Sequence, residues 1–86
     1  MTERRERSFR GISQRLARHY LENLGGETES DDHVVAAEWE ARLSSETVSV
    51  GPSLTLTEVT VVFEGAPETL DGLIDDFAQK AMRAGG

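Results

Sequence analysis

The chain closes with Ala81-Met82-Arg83-Ala84-Gly85-Gly86, and a diglycine terminus is a chemical handle. Glycine has no Cβ, so a Gly-Gly strip can enter a narrow adenylating site and present its carboxylate for activation. Gly85 and Gly86 are therefore the candidate carrier tail. The same pair also stops a helix, and Gly25-Gly26 is placed to do so after an earlier apolar stripe. A second cluster is basic. Arg4, Arg5, Arg7, Arg10, Arg15 and Arg18 fall within the first 18 residues, against only Glu3 and Glu6. Together they are candidate contacts for an anion or a partner. Nucleic acid is not the expected partner. The rest of the chain is strongly acidic, and a set of base-stacking aromatics is not interleaved with the arginines. Pairing of the arginines to that acidic remainder, within or between subunits, is the expected use.

No other constellation points to chemistry. There is no cysteine, no glycine-rich phosphate loop and no histidine spacing suited to a metal. Asp31-Asp32 and Asp75-Asp76 are acidic doublets. Neighbours on a helix diverge by about 100°, so Asp75 and Asp76 suit a solvated face better than a shared ion. A general base needs a nucleophile or substrate beside it. Nothing of that kind flanks His19, and Ser44-Ser45 reads as a turn. The expectation is a protein that is not an enzyme, with no metal and no cofactor.

At 86 residues the chain is expected to form one domain, 1–86, with a modest core. A chain of this size buries only about 60% of its unfolded surface, so association into a homodimer is the expected source of further stability. No stretch is apolar enough to span a bilayer and no signal peptide is visible, which leads to a cytoplasmic expectation. The net charge of −7 comes with eight arginines and a single lysine, Lys80. Abundant acids with almost no lysine suit a salt-rich cytoplasm, as in a halophile.

The elements that must position these residues follow from periodicity. Ile12, Leu16, Tyr20 and Leu24 form a helical stripe, with Ser13 as N-cap and Gly25-Gly26 as the stop. Before it, ERRERSFRG reads as an edge strand whose arginines discourage stray pairing. GETESDDH is a polar turn or a short strand around Glu27–Ser30. HVVAAEWEARLS alternates, with Val35, Ala37, Trp39, Ala41 and Leu43 on one face, and is predicted as one half-buried strand. TVSVG follows as the next strand, and Gly51-Pro52-Ser53 breaks the pattern. In LTLTEVTVVFEG the apolar phase switches between Leu54/Leu56 and Val59/Val61/Phe63. A bulge near Thr57-Glu58 would bring both sets to the core. Pro67 opens the last helix, whose stripe is Leu70, Leu73, Ile74, Phe77, Ala78 and Ala81. The order is β-α-β-β-β-α, with one further strand allowed around Glu27. The simplest packing is an α+β fold, two helices on one face of a curved antiparallel sheet.

RERSFRGISQRLARHYLENLGG, VGPSLTLTEVTVVFEG and FAQKAMRAGG together resemble the C-terminal domain of MoaD-related proteins, from about Arg5 to Gly86. The resemblance rests on Phe9 and Gly11 before the first helix, Tyr20-Leu21-Glu22 with Gly25-Gly26, Val50-Gly51 before a long strand, and the glycine-ended tail. It implies a fold like one half of the TATA-binding protein, β-α-β(3-4)-α. It implies no catalytic residues. By association it implies a link to molybdopterin cofactor biosynthesis or sulfur transfer, with a ubiquitin-like or adenylating protein of that system as partner. The ubiquitin-like half, with its β-grasp order, is not in this sequence. In β-grasp carriers the diglycine follows a strand, whereas here it follows a predicted helix.

The function expected is therefore a non-enzymatic accessory or protein-binding module. The alternative is a diglycine-tailed modifier or sulfur carrier activated at Gly86. A third possibility, a small-ligand pocket, would need a cavity near Trp39.

Overall fold

In a computed structural model of the chain, which describes residues 2–84, five strands and two helices alternate as β-α-β-β-β-β-α. They are β1 (Glu3–Arg10), α1 (Gln14–Asn23), β2 (Glu27–Ser30), β3 (His33–Val35), β4 (Trp39–Ser49), β5 (Thr55–Gly65) and α2 (Pro67–Ala84). The strands form one sheet in the order β1-β5-β4-β3-β2, and every neighbouring pair is antiparallel. The fold is α+β.

Both helices begin and end as local chemistry dictates. The Ser13 hydroxyl accepts from the Leu16 N–H at 3.0 Å, satisfying one of the amides that the first turn of α1 leaves open. At the other end Gly25 takes φ +106°, a left-handed turn that a Cβ would strain. Its N–H donates to the Glu22 carbonyl at 3.1 Å, and that of Gly26 to Leu21 at 3.0 Å. Pro67 opens α2 with Glu68 in the first turn, and Arg83 lies in the last, each suited to the helix dipole.

Strand parity puts the core on one side. Ala41, Leu43, Val59, Val61 and Phe63 all point beneath the helices and are buried, as are Ala17 and Leu21 from α1 and Leu70, Leu73, Phe77 and Ala81 from α2. The ring of Phe77 is the hub. Its centroid lies 4.9 Å from Phe9, 5.8 Å from Phe63 and 6.0 Å from Tyr20, with tilted and edge-on geometries. One aromatic cluster thus joins the edge strand β1, its neighbour β5 and both helices.

Two strand expectations are corrected. HVVAAEWEARLS is a hairpin, not one strand. The Ala36 N–H donates to the Trp39 carbonyl at 2.8 Å and the chain reverses. Alanine favours strands weakly, and both parities of VVAA are apolar, so alternation could not fix the break. As a result Val34, not Val35, is the buried residue of β3. TVSVG is the continuation of β4. The second correction concerns the bulge. The β4–β5 register runs unbroken from Trp39↔Gly65 to Ser49↔Thr55. Leu54 and Leu56 therefore face away from the helices, at 59% and 37% exposure.

Beyond the Arg10↔Glu58 pair, the flank on β5 ends with the Gly11 N–H donating to the Thr57 carbonyl at 3.2 Å, and β3 stops at His33↔Arg42. From Thr47 to Thr57 the hairpin continues as a two-stranded arm. This arm stretches the molecule to 45 × 23 × 20 Å, with a radius of gyration of 13.0 Å. A compact chain of this length would have about 12 Å.

Candidate functional site

The six N-terminal arginines do not converge. Pairing register puts Arg4 and Arg10 on the open face of the sheet, and Arg5 and Arg7 on the helix-covered face. Arg15 and Arg18 stand on α1. Arg5 bridges Glu3 and Asp71 of α2, and its guanidinium is held above its ordinary pKa, first by Asp71 and then by Glu3. Arg10 pairs with Glu58 at 2.9 Å, and Arg18 with Asp31 at 3.3 Å. Arg7 donates to the Glu6 carbonyl at 2.8 Å. Three of these contacts hold β1 or α1 to another segment, so they work as clasps within the fold. The candidate carrier tail, Gly85 and Gly86, lies outside the described residues.

The open sheet face is dominated by carboxylates. Glu6, Glu40, Glu46, Glu58 and Glu64 share it with Arg4, Arg10 and Arg42. Glu40 stands directly across from Glu64, and Glu46 from Glu58. Opposed like charges weaken a strand pair. His33 Nε2 lies 2.8 Å from Glu40 Oε2, which relieves one of them, and Arg10 relieves another. Such a face repels a phosphate backbone. Asp31 and Asp32 turn to separate partners, Arg18 and Ser30. Among the described residues no group of three or more His, Asp or Glu side chains is placed to hold a metal ion.

A concavity with a volume of about 410 Å³ lies beside Trp39. Three segments wall it: the C-terminal end of α1 at Leu24-Gly25, the β3–β4 turn at Ala36–Glu38, and Thr69, Leu73 and Asp76 on α2. A smaller hollow of about 240 Å³ lies on the other side of the same turn, against Glu40, Glu64 and Gly65. Trp39 borders both. It is seated by two glycines of ordinary backbone geometry. A Cβ on Gly26 would come within 2.7 Å of the indole and 2.5 Å of Val34 Cγ1. One on Gly65 would meet the Glu38 carbonyl at 2.8 Å and Trp39 Cβ at 3.3 Å.

The cleft combines an apolar floor with two acidic side chains. Its floor is Trp39, Leu24, Leu73 and small side chains, and its charged groups are Glu38 and Asp76. No histidine, serine or lysine is among its lining residues. It sits at the end of the sheet, outside the layer that the helices pack closely. Sequence reasoning singled out Trp39 but missed Glu38, Thr69 and Asp76. The one available signal was the strand-poor Ala36-Ala37 pair, which marks the turn.

These features define the class: a small antiparallel α+β domain with a cleft beside Trp39. Within that class the chain belongs to the archaeal MoaD-like protein family, whose family model matches residues 5–86. That membership links it in general terms to the molybdopterin synthase and sulfur-carrier proteins. No curated protein matches the chain.

Proposed function

We propose that this protein is a non-enzymatic accessory module of the molybdopterin or sulfur-transfer system, acting in the cytoplasm by binding a ubiquitin-like or adenylating protein. One observation carries the reading. Helix α2 is seated on the sheet through Leu70, Leu73, Phe77 and Ala81 and runs to Ala84. The diglycine is thus preceded by a docked helix, whereas a β-grasp carrier presents it after a strand. We read the fold as one half of a TATA-binding-protein-like unit. The β-α-β-β-β-β-α order and the two helices on one sheet face support that reading.

The carrier alternative draws on the Gly85-Gly86 terminus and on the family itself. Mass spectrometry of the protein isolated from its own cells separates the two. A carrier gains about 16 Da at the C-terminus as oxygen is exchanged for sulfur, or leaves branched diglycine on lysines of other proteins. The accessory reading expects neither product, together with co-purification of a ubiquitin-like or adenylating protein. A thiocarboxylate on Gly86 would replace it with the carrier reading.

A further inference from the structure

We propose that the β4–β5 arm is a self-association surface, through which two copies of this chain pack their Val48, Val50, Leu54 and Leu56 rows across a two-fold axis. Parity sets the arm's two sides apart. Val48 and Leu56 are paired on the open face, and Val50 and Leu54 close the tip through a 2.9 Å hydrogen bond from the Val50 N–H. Val50, Leu54 and Leu56 are 40%, 59% and 37% exposed. The other side carries Thr47, Ser49, Thr55 and Thr57. The arm is therefore amphipathic, with its apolar side turned away from the core.

Nothing within the described chain covers that side. Among the described residues no third strand flanks residues 47–56: the β1 side ends with the Gly11 N–H on the Thr57 carbonyl, and β3 has stopped. A lone two-stranded ribbon is marginal in water, so a regular arm of this kind calls for a cover.

Charge selects the cover. Residues 47–57 contain no ionisable side chain, in a protein that is 29% charged and carries −7. Two such molecules repel each other, and the repulsion is least where the charge is absent. A basic partner would be drawn to the glutamate rows at the far end of the face, and an acidic one would be repelled by the whole molecule. A second copy, offering the same neutral row, fits. A two-fold contact is self-complementary, so one apolar row covers the other. The Arg10–Glu58–Glu46 row bounds the patch. The contact is thus smaller than the roughly 800 Å² per partner of a standard interface, and the dimer is reversible.

The inference goes beyond the accessory-module reading and does not rest on it, since the test uses the full chain alone. Sedimentation equilibrium from about 1 μM to about 1 mM is expected to show a monomer–dimer equilibrium. Leu54→Asp with Leu56→Asp should weaken it at least about tenfold. Thr47→Asp with Thr55→Asp adds the same charge to the opposite side, and should leave the constant within about threefold of the parent. Circular dichroism checks that both variants are folded. Val48→Cys in an otherwise cysteine-free chain should form a covalent dimer on mild oxidation, and Ser49→Cys should not. A monomer at every concentration, or a dimer that the leucine pair leaves unmoved or that the threonine pair weakens equally, overturns the proposal.

Discussion

Gly25 and Gly26 stand side by side and do different jobs. The first makes the left-handed turn, and the second makes room for Trp39 and Val34. Gly26→Ala should cost about 1–3 kcal/mol through overpacking, and should shift the emission of the only tryptophan by pushing its indole. Gly25→Ala should cost about 1–2 kcal/mol through its backbone and leave the emission where it was, since open space surrounds its Cβ position. Equal spectral shifts in both variants would contradict this division. The sequence announced a helix stop at this pair, and that half was legible. The packing half was not, because the clash comes from a residue that only the β3–β4 turn brings back. Arg5 shows a related limit. Its charge was readable, but its partner Asp71 lies at the other end of the chain. An arginine pKa raised by folding stabilises at every pH below the unfolded value, and that contribution is lost only in strong alkali. The Arg5 clasp itself is therefore insensitive to arginine titration through the neutral range.

Among the elements, α2 was the most legible. Its apolar spacing of three and four residues needs no tertiary information, and Leu70, Phe77 and Ala81 are buried as that spacing requires. Phe77 touches β1, β5 and α1 at once, so Phe77→Ala should remove about 3–5 kcal/mol, read as the loss in denaturant unfolding free energy. A loss under about 1 kcal/mol would mean that the cluster does not organise the core. β5 was legible in extent but not in exposure. Its change of apolar phase is written in LTLTEVTVVF. Alternation says which residues share a side, not whether that side is covered, so the switch was assigned to a bulge. The structure keeps the strand regular and leaves Leu54 and Leu56 outside. The Trp39 cleft was legible in one residue alone, because its walls come from three separate segments.

At the scale of the molecule, the charge has a thermodynamic consequence. With −7 overall and glutamates opposed at Glu40/Glu64 and Glu46/Glu58, the folded state bears repulsion that salt screens. The melting temperature should rise as KCl goes from about 0.1 M to about 1 M, over which the screening length falls from about 10 Å to about 3 Å. A flat or falling curve would remove the halophilic interpretation of the composition. The α+β class and the pairing of helices on one face were readable from periodicity, while the strand order was not, since no local pattern says which strands meet. That order affects biosynthesis. β1 leaves the ribosome before the other four strands of its sheet, yet it pairs only with β5, which runs to Gly65. Loop closure over that separation must precede its pairing. β1 therefore waits as an arginine-bearing strand without a ladder. A chain halted before Thr55 lacks β5, the strand that ties β1 to β4.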